Sequence, residues 1–191
     1  MATPTLLLYP GAGSDREHSS LRRIETDLGA AADVRRLDFP YRREGRRAPD
    51  RAPKLLASIR EDLTAFRRRR GPIVMGGRSM GGRMTTMVAA DVDEVGPVAR
   101  LAGLVLICYP LHPPGKPDQL RVEHLPSITV PCLFISGTND PFGSPDELVA
   151  WTTTISAPVE HVWIERGRHD LKGADTTIAD AVRAFVSRVA S

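Results

Sequence analysis

Cysteine is scarce in this 191-residue chain: Cys108 and Cys132 are the only two, and both sit inside apolar runs. Two cysteines are too few for a disulfide framework or a zinc site, so both read as small core residues. No apolar run approaches the roughly 18 residues that a membrane span needs, and residues 1–13 lack the basic start and long apolar stretch of a secretory leader. These absences predict a cytoplasmic protein without membrane contact. A Gly-Lys-Ser/Thr phosphate loop is also missing, as are internal repeats, low-complexity tracts and the Asn-Gly or Asp-Gly turns of short hairpins.

What remains is ordinary globular composition, 41% hydrophobic and 26% charged, which excludes intrinsic disorder and collagen-like structure. The length predicts one domain spanning residues 1–191. Charge is uneven beneath a net +3: residues 35–70 hold twelve arginines and Lys54 against five acids. A field of one sign either forms a solvated face or steers acidic partners. Nucleic-acid binding is not expected, because Phe39, Tyr41 and Phe66 are the only aromatics among these arginines and no recognised motif accompanies them.

Short apolar runs recur at 6–9, 32–39 (interrupted by Arg35 and Arg36), 73–75, 104–109, 132–136 and 162–164. Their near-continuous apolarity fits strands covered on both faces. Between them, Leu21/Ile24/Leu28, Leu56/Ile59/Leu63/Phe66, Met80/Met84/Met87/Val88 and Ile178/Val182/Phe185/Val189 have helical spacing. The alternation predicts a three-layer α/β fold with a mainly parallel sheet of about six strands and helices on both faces. In such sheets ligands collect at the carboxyl ends of the strands, and the residues after each run carry the chemistry. The polar connections 41–53 and 109–126 are candidate binding loops.

Gly76-Gly77-Arg78-Ser79-Met80-Gly81-Gly82 follows the third run and contains the Gly-x-Ser-x-Gly pattern at a strand-to-helix junction. That is a nucleophile elbow, whose glycines remove side chains that would collide with strand or helix. A bland alternative is a glycine-rich helix entry capped by Ser79. A serine hydroxyl needs a base and an orienting acid to attack. Gly137-Thr138-Asn139-Asp140-Pro141 after the fifth run supplies Asp140, and Gly167-Arg168-His169-Asp170 after the sixth supplies His169. Ser79, Asp140 and His169 occur in the chain order of α/β-hydrolases. His112 is a rival base or a substrate contact, His124 and His161 read as structural, and Asp170 points away from its neighbour His169. The amide of Met80 is the expected first oxyanion donor, and that of Ala12, in Pro10-Gly11-Ala12-Gly13, the second. A dinucleotide fingerprint starting at Gly11 and Gly13 fails because no third glycine follows. Arg46, Arg47, Arg78 and Lys116 lie in or beside strand-end loops, placed to grip a substrate carboxylate or phosphate. Neither cofactor nor metal is expected.

These motifs, with Phe39-Pro40-Tyr41, Gly45-Arg46-Arg47 and Tyr109-Pro110-Leu111-His112-Pro113-Pro114-Gly115-Lys116, resemble the small cap-less α/β-hydrolases of the dienelactone-hydrolase-like group, particularly its testis-expressed-30-type subfamily. The resemblance runs over nearly the whole chain. It implies a minimal hydrolase core without a lid domain or the first two strands of larger hydrolases. It also implies an acyl-enzyme mechanism on a small acyl substrate. Such proteins carry His-Gly-Ala-Gly after the first core strand, whereas Pro10 stands here in place of the histidine. The competing expectation keeps the fold but makes it a protein-interaction module with little turnover. Neither substrate nor oligomeric state is legible.

Overall fold

The computed structural model describes residues 2–66 and 70–190; Arg67, Arg68 and Arg69 of the basic stretch lie outside the described residues. Six strands, β1 (Thr5–Tyr9), β2 (Asp33–Arg36), β3 (Ile73–Arg78), β4 (Leu101–Ile107), β5 (Cys132–Gly137) and β6 (Val159–Ile164), form one sheet in the order β2-β1-β3-β4-β5-β6. Every pairing is parallel. Continuous apolarity has its reason in the two cores. In β1, Leu7 and Tyr9 enter one core while Leu6 and Leu8 enter the other; in β5, Phe134 and Leu133 divide in the same way.

One core is covered by α3 (Ala52–Phe66) and α4 (Met80–Ala89), which bury Leu56, Ile59, Met84 and Val88. The other is covered by α1 (Ser19–Leu28) and α6 (Asp175–Val189), through Leu21, Ile24, Leu28, Ile178, Val182 and Phe185. The helical stripes therefore do core work, each at the 3.6-residue period that keeps one face inward. Two helices lay outside the sequence reading: the single turn α2 (Pro40–Arg43), and α5 (Pro145–Thr152). The second announces itself locally, since Ser144 and Glu147 form a capping box with Pro145 in the first turn. The 32–39 run is a strand only at Asp33–Arg36, an edge position where Val34 alone is buried. No separate lid domain rises over the strand ends among the described residues.

The chain moves outward from β1 to β2 and then returns to place β3 on the other side of β1. Loops leaving β1 and β3 therefore diverge and open a crevice at their carboxyl ends. No described helix is long and apolar enough to cross a membrane.

Candidate active site

Ser79 stands between β3 and α4 with φ 47° and ψ −114°, in the left-handed region that side chains avoid. Such a conformation costs on the order of 1–3 kcal/mol and persists only where its surroundings enforce it. The flanking glycines are required by close backbone approach. A Cβ on Gly77 would lie 2.2 Å from the Tyr9 carbonyl oxygen, and one on Gly81 would lie 2.4 Å from the same oxygen. Gly11, at the end of β1, passes so near that its Cβ would be 3.5 Å from that of Ser79.

Three side chains from three strand ends meet here. His169 Nε2 lies 2.9 Å from Ser79 Oγ, and His169 Nδ1 lies 2.8 Å from Asp140 Oδ2. Asp140 is buried, and its Oδ1 also accepts the Phe142 amide at 2.9 Å, which fixes the carboxylate plane. The Phe142 ring stacks on the imidazole at 4.0 Å between centroids and shields that face from water. The acid and histidine loops are stitched together: Asn139 N donates to Gly167 O at 2.8 Å, and Arg166 N donates to Thr138 Oγ1 at 2.8 Å. A Cβ on Gly137 would fall 2.2 Å from the Gly167 carbonyl oxygen, so glycine permits this approach.

A cleft of about 410 Å³ opens over Ser79, bounded by Gly11, Ala12, Gly13, His18, Phe142 and His169. Met80 is the first residue of α4, where helix amides have no partner within the helix, and Ala12 lies on the facing wall. The Tyr41 hydroxyl donates to the Ala12 carbonyl at 3.0 Å and holds that wall in place. A larger apolar groove of about 600 Å³ lies beside α3, but neither serine nor histidine lines it, and its Arg60 and Asp93 pair with each other.

Arg78, which the sequence suggested as a substrate contact, is among the residues bounding the cleft and is also engaged by the protein itself. Its guanidinium is buried and donates to the carbonyls of His169 and Asp170, each at 3.1 Å, and to Ser20 Oγ at 3.4 Å. It clamps the backbone that carries the histidine. Arg46 is engaged by Glu44 and Asp50, and Arg47 and Lys116 are exposed; none of the three is among the residues bounding the cleft. His112 is buried with Nδ1 against its neighbouring carbonyl, Pro113 O, at 2.9 Å, and its amide donates to Phe142 O at 3.1 Å. It braces the acid loop and is not among the residues bounding the cleft. His124 and His161 bond Thr86 and Thr152, at 2.8 and 3.0 Å.

Cys108 Sγ, an Asp140 oxygen and a His169 nitrogen fall within 4.8 Å of one another, the spacing of a metal cluster. The chemistry of the set does not suit a cation. Burial pushes the Cys108 thiol up to about 12, leaving it neutral, and the Arg78 cation lies against it. Both nitrogens of His169 are already committed to Asp140 and Ser79. Sequence reasoning passed over His18 and the stacking role of Phe142. A histidine immediately before Ser-Ser-Leu, at a helix-start position, was the available signal for the first.

Comparison with known proteins agrees with this architecture. Est1E from Butyrivibrio proteoclasticus superposes with a TM-score of 0.77 at 15% identity, over 98% of this chain and 88% of its own. Dienelactone hydrolase from Anabaena variabilis gives 0.77 at 20% identity, over 98% and 87%. BorB, the type II thioesterase of the borrelidin biosynthetic cluster, gives 0.72 at 18% identity, over 99% and 93%. At these identities the likeness establishes the fold. The sequence pattern of the alpha/beta hydrolase domain matches residues 2–190, and the chain belongs to that family.

Proposed function

We propose that the protein is a serine hydrolase, a single catalytic domain that cleaves a small ester, thioester or related acyl compound through an acyl-enzyme. Within its family we assign it to the cap-less dienelactone-hydrolase-like group, of the testis-expressed-30 type. The observation that carries the reading is the line of hydrogen bonds from Asp140 through His169 to Ser79 at the floor of the cleft.

As Ser79 Oγ bonds to the acyl carbon, its proton passes to His169 Nε2, and Asp140 holds the imidazolium through Nδ1–H. Negative charge gathers on the former carbonyl oxygen, toward the amides of Met80 and Ala12. Collapse of this intermediate breaks the bond to the leaving group, which departs with the electron pair and takes the proton from His169. Water then attacks the acyl-serine ester with the same base and releases the acid. The names of two structural relatives, a dienelactone hydrolase and a thioesterase, support acyl chemistry as the reaction class.

Treatment with a fluorophosphonate, followed by intact mass measurement, tests this without knowledge of the substrate. One adduct is expected on the wild type and none on Ser79→Ala or His169→Ala. Absence of an adduct on the folded wild-type protein would replace the hydrolase with the binding-module reading.

A further inference from the structure

We infer that His18 is a further substrate-binding residue whose Nε2–H donates to an oxygen on the acyl group. The inference rests on acyl transfer at Ser79 and narrows its substrate class. Preferred substrates are acyl compounds that carry an ether, hydroxyl or second carbonyl oxygen close to the scissile carbonyl.

The argument starts from a tautomer. His18 caps α1: the Ser20 amide, which can only donate, points at His18 Nδ1 at 3.3 Å, and Ser20 Oγ lies 3.1 Å from the same nitrogen. Nδ1 is therefore an acceptor and carries no proton. Arg78 donates to Ser20 Oγ at 3.4 Å, so the serine's own hydrogen is free to turn toward Nδ1. A neutral imidazole whose Nδ1 is bare must carry its proton on Nε2. The ring lines the same cleft as Ser79, and with its Nδ1 edge engaged in the first turn of α1 the Nε2 edge is the one left for a ligand.

Burial, and the Arg78 cation, hold the His18 pKa below its ordinary value, against the opposing pull of Asp175 and Asp15. The ring is thus a neutral donor at pH 7, suited to an uncharged oxygen. Arg78, which also lines the cleft, supports this tautomer through its hydrogen bond to Ser20 Oγ. Phe142, an apolar ring, also lines the cleft. A cleft with an apolar aromatic and a fixed N–H among its lining residues distinguishes an oxygen from a methylene in a short acyl chain.

Para-nitrophenyl butyrate and para-nitrophenyl methoxyacetate differ by that exchange alone and match in shape. His18→Ser keeps an oxygen to cap α1 and removes the cleft donor. The ratio of kcat/KM for methoxyacetate over butyrate is expected to fall about two- to tenfold in His18→Ser, the value of one hydrogen bond. His18→Gln, whose amide reaches a similar position, is expected to restore part of the ratio. An unchanged ratio in stably folded His18→Ser, or an equal fall for both esters, overturns the inference. Two-bond proton–nitrogen correlation spectra of the histidine rings decide independently of turnover. The Nε2–H form is expected, and in Ser79→Ala its signal is expected to shift with methyl methoxyacetate but not with methyl butyrate. An Nδ1–H form, or equal shifts, overturns it even if no ester is hydrolysed. Failure of the fluorophosphonate to label Ser79 strikes the hydrolase reading and the acyl assignment with it, whereas an unchanged ester ratio on a labelled enzyme strikes the His18 assignment only.

Discussion

Replacing Arg78 separates two views of the same residue. Sequence position beside Ser79 suggests a substrate contact; the geometry makes it a brace. The Arg78→Met side chain keeps most of the volume and removes the long bond to Ser20 Oγ together with the two that hold the histidine loop, to His169 O and Asp170 O. Hydrogen bonds from a charged donor are worth about 1.5–3 kcal/mol each. Asp170 is exposed and its carbonyl regains water, so the lower figure applies and the loss is about 3 kcal/mol in total. For a chain of this length that lowers Tm by roughly 6–12 °C. Slackening of the histidine loop is expected to reduce fluorophosphonate labelling of Ser79 by about a hundredfold, the penalty for roughly 1 Å of misplacement. Arg78→Lys, able to reach one carbonyl, should fall between. Calorimetry and labelling rates on the three proteins check this. An unshifted Tm with a loss confined to KM for anionic esters would refute the brace and return Arg78 to the substrate.

The other expectations follow from single contacts. Asp140→Asn keeps the size but removes the negative charge and, with Oδ1 kept for the Phe142 amide, turns an NH2 donor toward His169 Nδ1; turnover of an activated ester should drop by about four orders of magnitude, with folding intact by circular dichroism. Gly77→Ala sets a methyl against the β1 backbone at 2.2 Å and should destabilise by about 1–3 kcal/mol or more in urea denaturation; a neutral result would mean that the elbow can be displaced. His124 is held down to about 4 by burial and the nearby Arg83 cation, against an ordinary 6.5. The unfolded chain therefore binds the extra proton first as pH falls. This residue's contribution to stability is complete above pH 6.5 and declines toward pH 4, by about 2–3 kcal/mol between pH 7 and 4.5. His124→Gln should flatten that part of the pH–stability curve, and an equal slope in both proteins would contradict the assignment.

Much of the fold was legible because burial on both faces leaves a plain signal. Strands such as Leu-Leu-Leu-Tyr and Cys-Leu-Phe-Ile-Ser admit nothing polar until they reach the catalytic edge. The elbow was legible for a related reason, since only glycine tolerates backbone at 2.2–2.4 Å. What escaped the sequence had two sources. Short elements such as α5 bury only Leu148 and Thr152, too few for a period, although their caps are local and readable. Side chains that act over distance left no local trace: Arg78 bonds carbonyls more than ninety positions away. Arg46 is the reverse case, for its partners Glu44 and Asp50 lie two and four residues off, close enough for charge spacing alone to suggest an ion pair.

The stitching of the acid loop to the histidine loop divides the proposed triad into two parts. Asp140 and His169 ride together at the outer margin of the sheet on β5 and β6, while Ser79 belongs to β3, with β4 between. A sliding of the outer strands carries acid and base as one body and leaves their mutual contact whole. Among the three side chains, the contact between the two parts is the 2.9 Å separation of His169 and Ser79, alongside which Arg78 reaches the His169 carbonyl. Thermal loosening would uncouple the nucleophile while the imidazole stayed correctly oriented, and recoupling would require one contact to re-form instead of three side chains to reassemble.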